Sequence, residues 1–206
     1  MRPPAAAAEI YGERLPIAQR YAEWLAVAGI ERGLLGPREV SRLWDRHLLN
    51  CVVISELIGR SKLVADVGAG AGLPGIALAI ARPDLRLVLI EPMLRRADFL
   101  RETVALLGLQ SVDVVRSRAE EYRAPEPFDV VTARAVAKIG QLFRWSVPLL
   151  RPGGRLLALK GESVRDELRT AADDLRKAGA SSWSVESVGR NVVDPATLVA
   201  VVTLGR

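Results

Sequence analysis

The 206-residue chain holds one cysteine, Cys51, and one histidine, His47. A lone thiol excludes an internal disulfide framework and a multi-cysteine zinc site. A lone imidazole argues against a His-built metal centre, so no metal is expected. Lysine is scarce: Lys62, Lys138, Lys160 and Lys177 stand beside 25 arginines. Long apolar runs are missing too. The longest uncharged stretch, Val67–Ala81, is 15 residues and is broken by glycines and Pro74. That is too short and too interrupted for a membrane span. The opening MRPPAAAAEIYGERLP has no apolar segment ending in a cleavage site, so a cytoplasmic protein is expected.

What remains is a globular composition, 50% hydrophobic and 26% charged, too apolar for general disorder. The length suits one domain with a short appendage. The net charge is +5. Arginine forks match phosphate oxygens, which fits an anionic partner. The codon bias of a GC-rich genome accounts for most of the Arg excess. The net charge then stands as mild support for nucleic acid.

Residues 1–8 form a Pro/Ala tail with no packing signal, expected to be mobile. Residues 9–60 read as a helical extension. Leu15, Ile17, Ala18, Tyr21, Trp24, Leu25 and Ala28 recur at helical spacing between Glu9 and Ile30. A second helix is predicted from Pro37 to Ile58, with Pro37 in its first turn and Gly59 as its stop. Residues 61–206 alternate strand and helix. β-rich runs occur at 63–67, 85–90, 112–115, 128–133 and 155–159, and helical stretches at 74–81, 93–107, 137–150 and 162–178. Near-continuous apolar strands separated by helices predict an α/β fold with a parallel sheet covered on both faces. The last two β-like runs, 182–188 and 198–204, are joined by about ten residues with no helical pattern. So short a link allows an antiparallel return and hardly a parallel crossover. Seven strands, mostly parallel with one reversed, resemble the Rossmann-like sheet of class I methyltransferases.

The most informative segment runs Asp66-Val67-Gly68-Ala69-Gly70-Ala71-Gly72-Leu73-Pro74-Gly75, from a buried strand through a Gly-rich turn into a helix. Glycines let the main chain bend sharply and let a ligand come close. Glu91 closes the next strand, where a carboxylate can accept both ribose hydroxyls of an adenosine cofactor. Two cofactors compete. Gly70-x-Gly72-x-x-Gly75 with Glu91 downstream satisfies the dinucleotide pattern of a nicotinamide-dependent oxidoreductase. Asp66 at the strand end would repel a pyrophosphate and favour the ammonium and sulfonium of S-adenosylmethionine, directly or through water. The Asp-x-Gly-x-Gly-x-Gly form therefore favours a methyl donor.

Five blocks then occur in order: Leu43–Asn50 (LWDRHLLN), Asp66–Ile76, Ser117–Glu121 (SRAEE), Phe128–Ala135 (FDVVTARA) and Leu159–Gly161 (LKG). Together they resemble the glucose-inhibited division protein B family, the 16S rRNA guanine-N7 methyltransferases, over about residues 20–161. The resemblance implies S-adenosylmethionine as cofactor and a guanine in the decoding-region loop of small-subunit rRNA as acceptor, in bare RNA or an assembling subunit. It further implies cofactor contacts at Gly68, Leu73, Ala119, Glu120 and Arg134, beside Asp66, Gly70, Gly72 and Glu91 from the turn itself.

The residues bear on the acceptor independently. Methylating carbon 5 of a pyrimidine needs a nucleophilic cysteine; Cys51 lies mid-helix and reads as a small buried residue. Methylating an exocyclic amine commonly uses an Asn/Asp-Pro-Pro-aromatic run after the fourth strand, where this chain has Thr132-Ala133-Arg134-Ala135-Val136. Guanine N7 has an in-plane lone pair and needs no deprotonation. Arg118, Arg134 and Lys160 fall at or just beyond strand ends that share one sheet edge, where cations suit phosphates or the carbonyl of a flipped guanine. They are the candidate catalytic residues.

His47 shares a helix face with Trp44, Leu48 and Cys51 and reads as structural, with a lid over the methionine end as the functional alternative. Arg95, Arg96 and Arg101 read as a solvated helix face, with an RNA-tracking stripe as the functional alternative. Arg190 is a candidate RNA contact. Asp194-Pro195-Ala196-Thr197 departs from the family, which often carries an arginine there. The scattered tryptophans read as core or interface. A monomer is expected, and a non-catalytic RNA-binding module is the other alternative.

Overall fold

The computed structural model describes residues 2–206. Seven strands, β1 (Leu63–Val67), β2 (Arg86–Ile90), β3 (Val112–Val115), β4 (Phe128–Arg134), β5 (Leu150–Lys160), β6 (Ala180–Val188) and β7 (Thr197–Leu204), form one sheet. Their order is β3-β2-β1-β4-β5-β7-β6. β7 runs antiparallel to both its neighbours, and the other pairings are parallel. β1 is buried along its whole length, as a central parallel strand covered on both faces requires. The register aligns Asp66 with Leu89 and with Thr132, so the C-terminal ends of β1, β2 and β4 lie side by side. Strand order reverses between β1 and β4, and a doubly wound sheet opens a crevice at that point.

Two cores flank the sheet. One gathers residues of the helical extension with Ile76, Leu78 and Ile80 of α4 (Gly75–Ala81) and Phe99 and Leu100 of α5 (Leu94–Leu107). The other gathers Ile139, Leu142 and Phe143 of α6 (Ile139–Ser146) and Val164, Leu168 and Leu175 of α7 (Val164–Lys177). The expected helix 137–150 ends earlier, at Ser146, because Pro148 has no N–H to continue the ladder. β5 starts at Leu150, before the predicted 155, through a bulge opposite Phe128–Val130.

The extension departs most from expectation. α1 (Ala5–Tyr11) begins inside the supposed tail, and Ala7 is fully buried. Alanine is the best helix former, and Pro4 sits at the N-cap, where its missing N–H costs nothing. The predicted 9–30 helix is three pieces: α1, a 3₁₀ turn at Gly12–Arg14, and α2 (Leu15–Trp24), which runs into a π turn at Leu25–Gly29. Gly12, at φ 49°, ends α1, and Pro16 restarts the helix from its first turn. The predicted 37–58 helix alternates likewise: 3₁₀ at Pro37–Arg42, π at Leu43–Leu49, one α turn, α3 (Asn50–Val52), and 3₁₀ at Val53–Leu57.

Side chains of α2 and the turn before it dock the extension. Arg14 donates to the carbonyl of Ile80 at 2.6 Å and Arg20 to that of Leu106 at 2.7 Å, satisfying orphan carbonyls in the last turns of α4 and α5. Trp24 stacks on Phe99 at 5.9 Å and donates to Thr103. Among the described residues no helix is long and apolar enough to cross a membrane, and no group of three or more His, Cys, Asp or Glu is placed to hold a metal ion.

Candidate cofactor cleft

The Gly-rich turn after β1 is held from both sides. Gly68, Gly70 and Gly72 have φ of 67°, 55° and 95°, the left-handed region that favours glycine. A Cβ on Gly72 would stand 2.4 Å from Ile76 Cδ1 and 2.9 Å from the Tyr21 hydroxyl, which itself donates to the carbonyl of Ala71 at 2.8 Å. The extension thus clamps the turn from above. From below, Glu91 is buried and accepts the Gly70 N–H at 2.9 Å through one oxygen and the Met93 N–H at 3.0 Å through the other. Each oxygen keeps a second lone pair free.

Asp66 is fully buried beneath the turn. One oxygen accepts the Gly75 N–H at 2.8 Å and the other faces the Thr132 hydroxyl at 3.3 Å. Burial pushes its carboxyl up to about 7, against the pull of those two hydrogen bonds.

The turn is one wall of a cleft of ≈ 430 Å³. Leu34 and Leu35 of the extension overhang it, Glu91, Met93 and Arg96 lie along its side, and Arg134 to Val136 face the turn. Arg134 is gripped by the extension: Nη2 donates to His47 Nδ1 at 2.6 Å and Nη1 to Cys51 Sγ at 2.9 Å. His47 Nε2 in turn lies 2.7 Å from Glu39 Oε2. Burial holds the imidazole below its ordinary value, and Arg134 pushes the same way while Glu39 opposes. Burial raises the Cys51 thiol. The next residue, Ala135, has φ 54°, a left-handed conformation rare for a residue with a Cβ.

The model of the family described as rRNA small subunit methyltransferase G matches residues 14–195. The chain belongs to that family. Its relatives include the ribosomal RNA small subunit methyltransferase G of Mycolicibacterium gilvum, 56% identical over 97% of this chain and 88% of the relative. That of Thermobifida fusca is 55% identical over 98% of this chain and 85% of its own length. Among solved structures, the apo S-adenosylmethionine-dependent methyltransferase SibL shares the fold at TM-score 0.61 and 21% identity, over 98% of this chain and 70% of that one. A SAM-dependent methyltransferase from Aquifex aeolicus does so at TM-score 0.57 and 19% identity, over 82% and 99%. The oxidoreductase reading of the glycine pattern falls with family membership.

Of the residues singled out in sequence, the family fold brings Gly68, Gly70, Leu73, Glu91 and Arg134 onto one cleft. Asp66 and Gly72 sit behind its wall as braces, with the Asp66 carboxylate buried against the Gly75 amide and the Thr132 hydroxyl and not on the cleft lining. Ala119 is buried in the second core and Glu120 is exposed; neither lines the cleft. Arg118 is solvent-exposed and loosely paired with Glu121 at 3.9 Å. Lys160 is half-buried and spoken for: Nζ lies 2.9 Å from Glu167 and donates to the carbonyl of Ala137 at 2.7 Å. Glu167 also accepts the Ile139 N–H at 2.6 Å, so Lys160 fastens the loop from β4 to α6. The three cations expected on one edge are thus three different things: a surface residue, a cleft residue and a loop anchor.

Sequence reading missed others. Arg96 lines the cleft, and its buried Nε has no partner among the described residues. Arg42, Arg46 and Asn50, four apart along the extension, face Asp194 and Lys160 across a second cleft of ≈ 610 Å³. Their even spacing, from the residue just before LWDRHLLN to its last, was the available signal.

Proposed function

We propose that this protein, acting as a cytoplasmic monomer, methylates N7 of a guanine in small-subunit ribosomal RNA with S-adenosylmethionine as donor. The observation that carries the reading is the cleft itself: a glycine turn braced by Glu91 on one wall, Arg134 on the other, in a chain of this family. The residues present suit the cofactor. A Cβ on Gly70 would meet only the Gly68 carbonyl oxygen, at an ordinary 3.7 Å, so its main chain can be approached closely. The spare lone pairs of Glu91 suit ribose hydroxyls. Leu34, Leu35, Leu73 and Met93 offer apolar surface for a base, and Arg134 a cation for a carboxylate. When bound, the cofactor supplies a methyl on a positively charged sulfur, so that a ring nitrogen's lone pair can take it while the electrons of the S–C bond return to sulfur.

N7 is the acceptor these residues favour. It needs no base, and Glu91, the one carboxylate among the described lining residues, is already engaged with two amides. Cys51 is buried and bound to Arg134, out of position for attack on a ring carbon. The chain's task reduces to alignment and exclusion of water. Methyl transfer places positive charge on the guanine. A guanidinium against that ring would oppose it, so Arg134 belongs to the anionic end of the cofactor. RNA phosphates are assigned to Arg42, Arg46 and the second cleft.

Transfer of labelled methyl from S-adenosylmethionine to bare rRNA and to assembled small subunits tests this. Incorporation into at least one form, reduced at least about tenfold by Arg134→Ala, is expected from the loss of a charged hydrogen bond. No incorporation into either form by the unaltered protein contradicts it.

A further inference from the structure

His47 is the chain's one histidine, and it sits between two charges. It is buried within the π turn Leu43–Leu49. Its Nδ1 meets Arg134 at 2.6 Å and its Nε2 meets Glu39 at 2.7 Å. A guanidinium can only donate, so Nδ1 must carry a lone pair. The one remaining ring proton is then on Nε2, pointing at a carboxylate that can only accept. The contacts fix both the neutral state and the tautomer. The groups facing this imidazole are Glu39 and Arg46 from the extension and Arg134 from β4, with the Cys51 thiol beside Arg134. Asp66, Tyr11 and Tyr21 lie behind Cys51.

We propose that His47 is a positioning residue: its neutral imidazole holds the Arg134 guanidinium at the wall of the cofactor cleft, and Glu39 holds the imidazole by taking its other N–H. The proposal rests on the reading above that Arg134 serves the cofactor. It gives the extension a task beyond covering the cleft. Arg134 has a long side chain with much rotamer freedom. Two acceptors, His47 Nδ1 and Cys51 Sγ, keep it in one place while its remaining N–H groups stay free for an anion. Protonating His47 would remove the acceptor and set two cations against each other.

Amide side chains separate the two contacts. An asparagine at 47 can place its oxygen where Nδ1 lies, toward Arg134. A glutamine reaches the place of Nε2, toward Glu39. Calorimetric binding of S-adenosylhomocysteine to the full chain, near neutral pH, is the first measurement. Arg134→Ala is expected to weaken binding about thirtyfold and His47→Gln about tenfold, with His47→Asn recovering most of that loss. The second measurement needs no ligand. The single imidazole of the ligand-free protein is expected to show nitrogen shifts of the Nε2–H form, to titrate below the ordinary histidine value, and to titrate higher in Arg134→Ala. Unchanged binding by Arg134→Ala overturns the reading of Arg134 and this proposal with it. Loss in Arg134→Ala with none in His47→Gln overturns the proposal alone. An Nδ1–H tautomer, or a titration indifferent to Arg134→Ala, also overturns it, even where a position-47 variant fails to fold.

Discussion

The two facing walls of the cleft are built by different means. The wall from Asp66 to Gly75 is main chain: positive-φ glycines, with amides of Gly70 and Gly75 tied to two buried carboxylates close by in the fold. The wall at Arg134 is one long side chain held by His47 and Cys51, which arrive from more than eighty residues earlier in the sequence. A main-chain wall is fixed by covalent geometry and admits almost no substitution. A side-chain wall is fixed by acceptors and by their protonation, so it can be tuned or lost without unfolding the sheet. The nucleoside end of the cofactor is assigned to the first kind of wall and its charged amino-acid end to the second.

The sharpest way to break that contrast is to put a side chain into the glycine wall. Gly72→Val would combine a left-handed β-branched residue with overlap on Ile76 and Tyr21. A loss of about 4 kcal/mol in unfolding free energy is expected from those two terms together. Gly70→Ala, whose Cβ would meet only the Gly68 carbonyl oxygen at an ordinary 3.7 Å, should lose only about 1 kcal/mol. Denaturant titration of the pair checks both, and equal losses would show that the wall is not rigid in the way described.

Asp66 gives a pH test of the same wall. Its carboxyl is raised from 3.8 to about 7 in the folded protein. The folded state therefore binds the proton more tightly than the unfolded chain. The stabilisation this confers is full below about pH 4 and is lost as pH rises toward about 7. Asp66→Asn lacks the titration, so the stability of the wild type relative to this variant should fall by a few kcal/mol across that window. A difference that stays flat with pH would mean that Asp66 is not buried as described.

Glu91→Gln would turn an NH₂ toward one of two main-chain amides and leave that donor unpaired. A loss of about 2 kcal/mol in S-adenosylhomocysteine binding is expected, read by calorimetry. The smallest effect belongs to the other wall. Ala135→Gly removes the Cβ from a left-handed residue and should raise stability by about 1 kcal/mol, seen as a higher denaturant midpoint.

The same contrast explains what could be read from the sequence. Strands β1 to β4 and the Gly-rich turn were legible because each is encoded locally, by a short β-rich run, which Gly68 ends in β1 and Glu91 in β2. The reversal of β7 was legible from the shortness of its link to β6. The extension was legible as helical but not in pitch. Apolar spacing marks which side faces the core, and 3₁₀, α and π turns all satisfy it loosely. Gly12 and Pro16 were the visible marks of its break. Lys160 stood at the right strand end, yet its partner Glu167 comes from the following helix, and nothing local showed that the charge was already committed. The contacts of His47 and Cys51 with Arg134 join distant segments, and no periodicity reports such a pairing.

The proposed acceptor, guanine N7, can be tested directly. An N7-methylguanosine carries a positive ring that borohydride reduces and aniline then cleaves, so small-subunit rRNA treated with the protein and S-adenosylmethionine can be read for strand breaks. One new break is expected, at a guanine, dependent on the protein and much weaker with Arg134→Ala. Labelled methyl incorporated into that RNA with no such break would place the methyl on another atom and contradict the proposal.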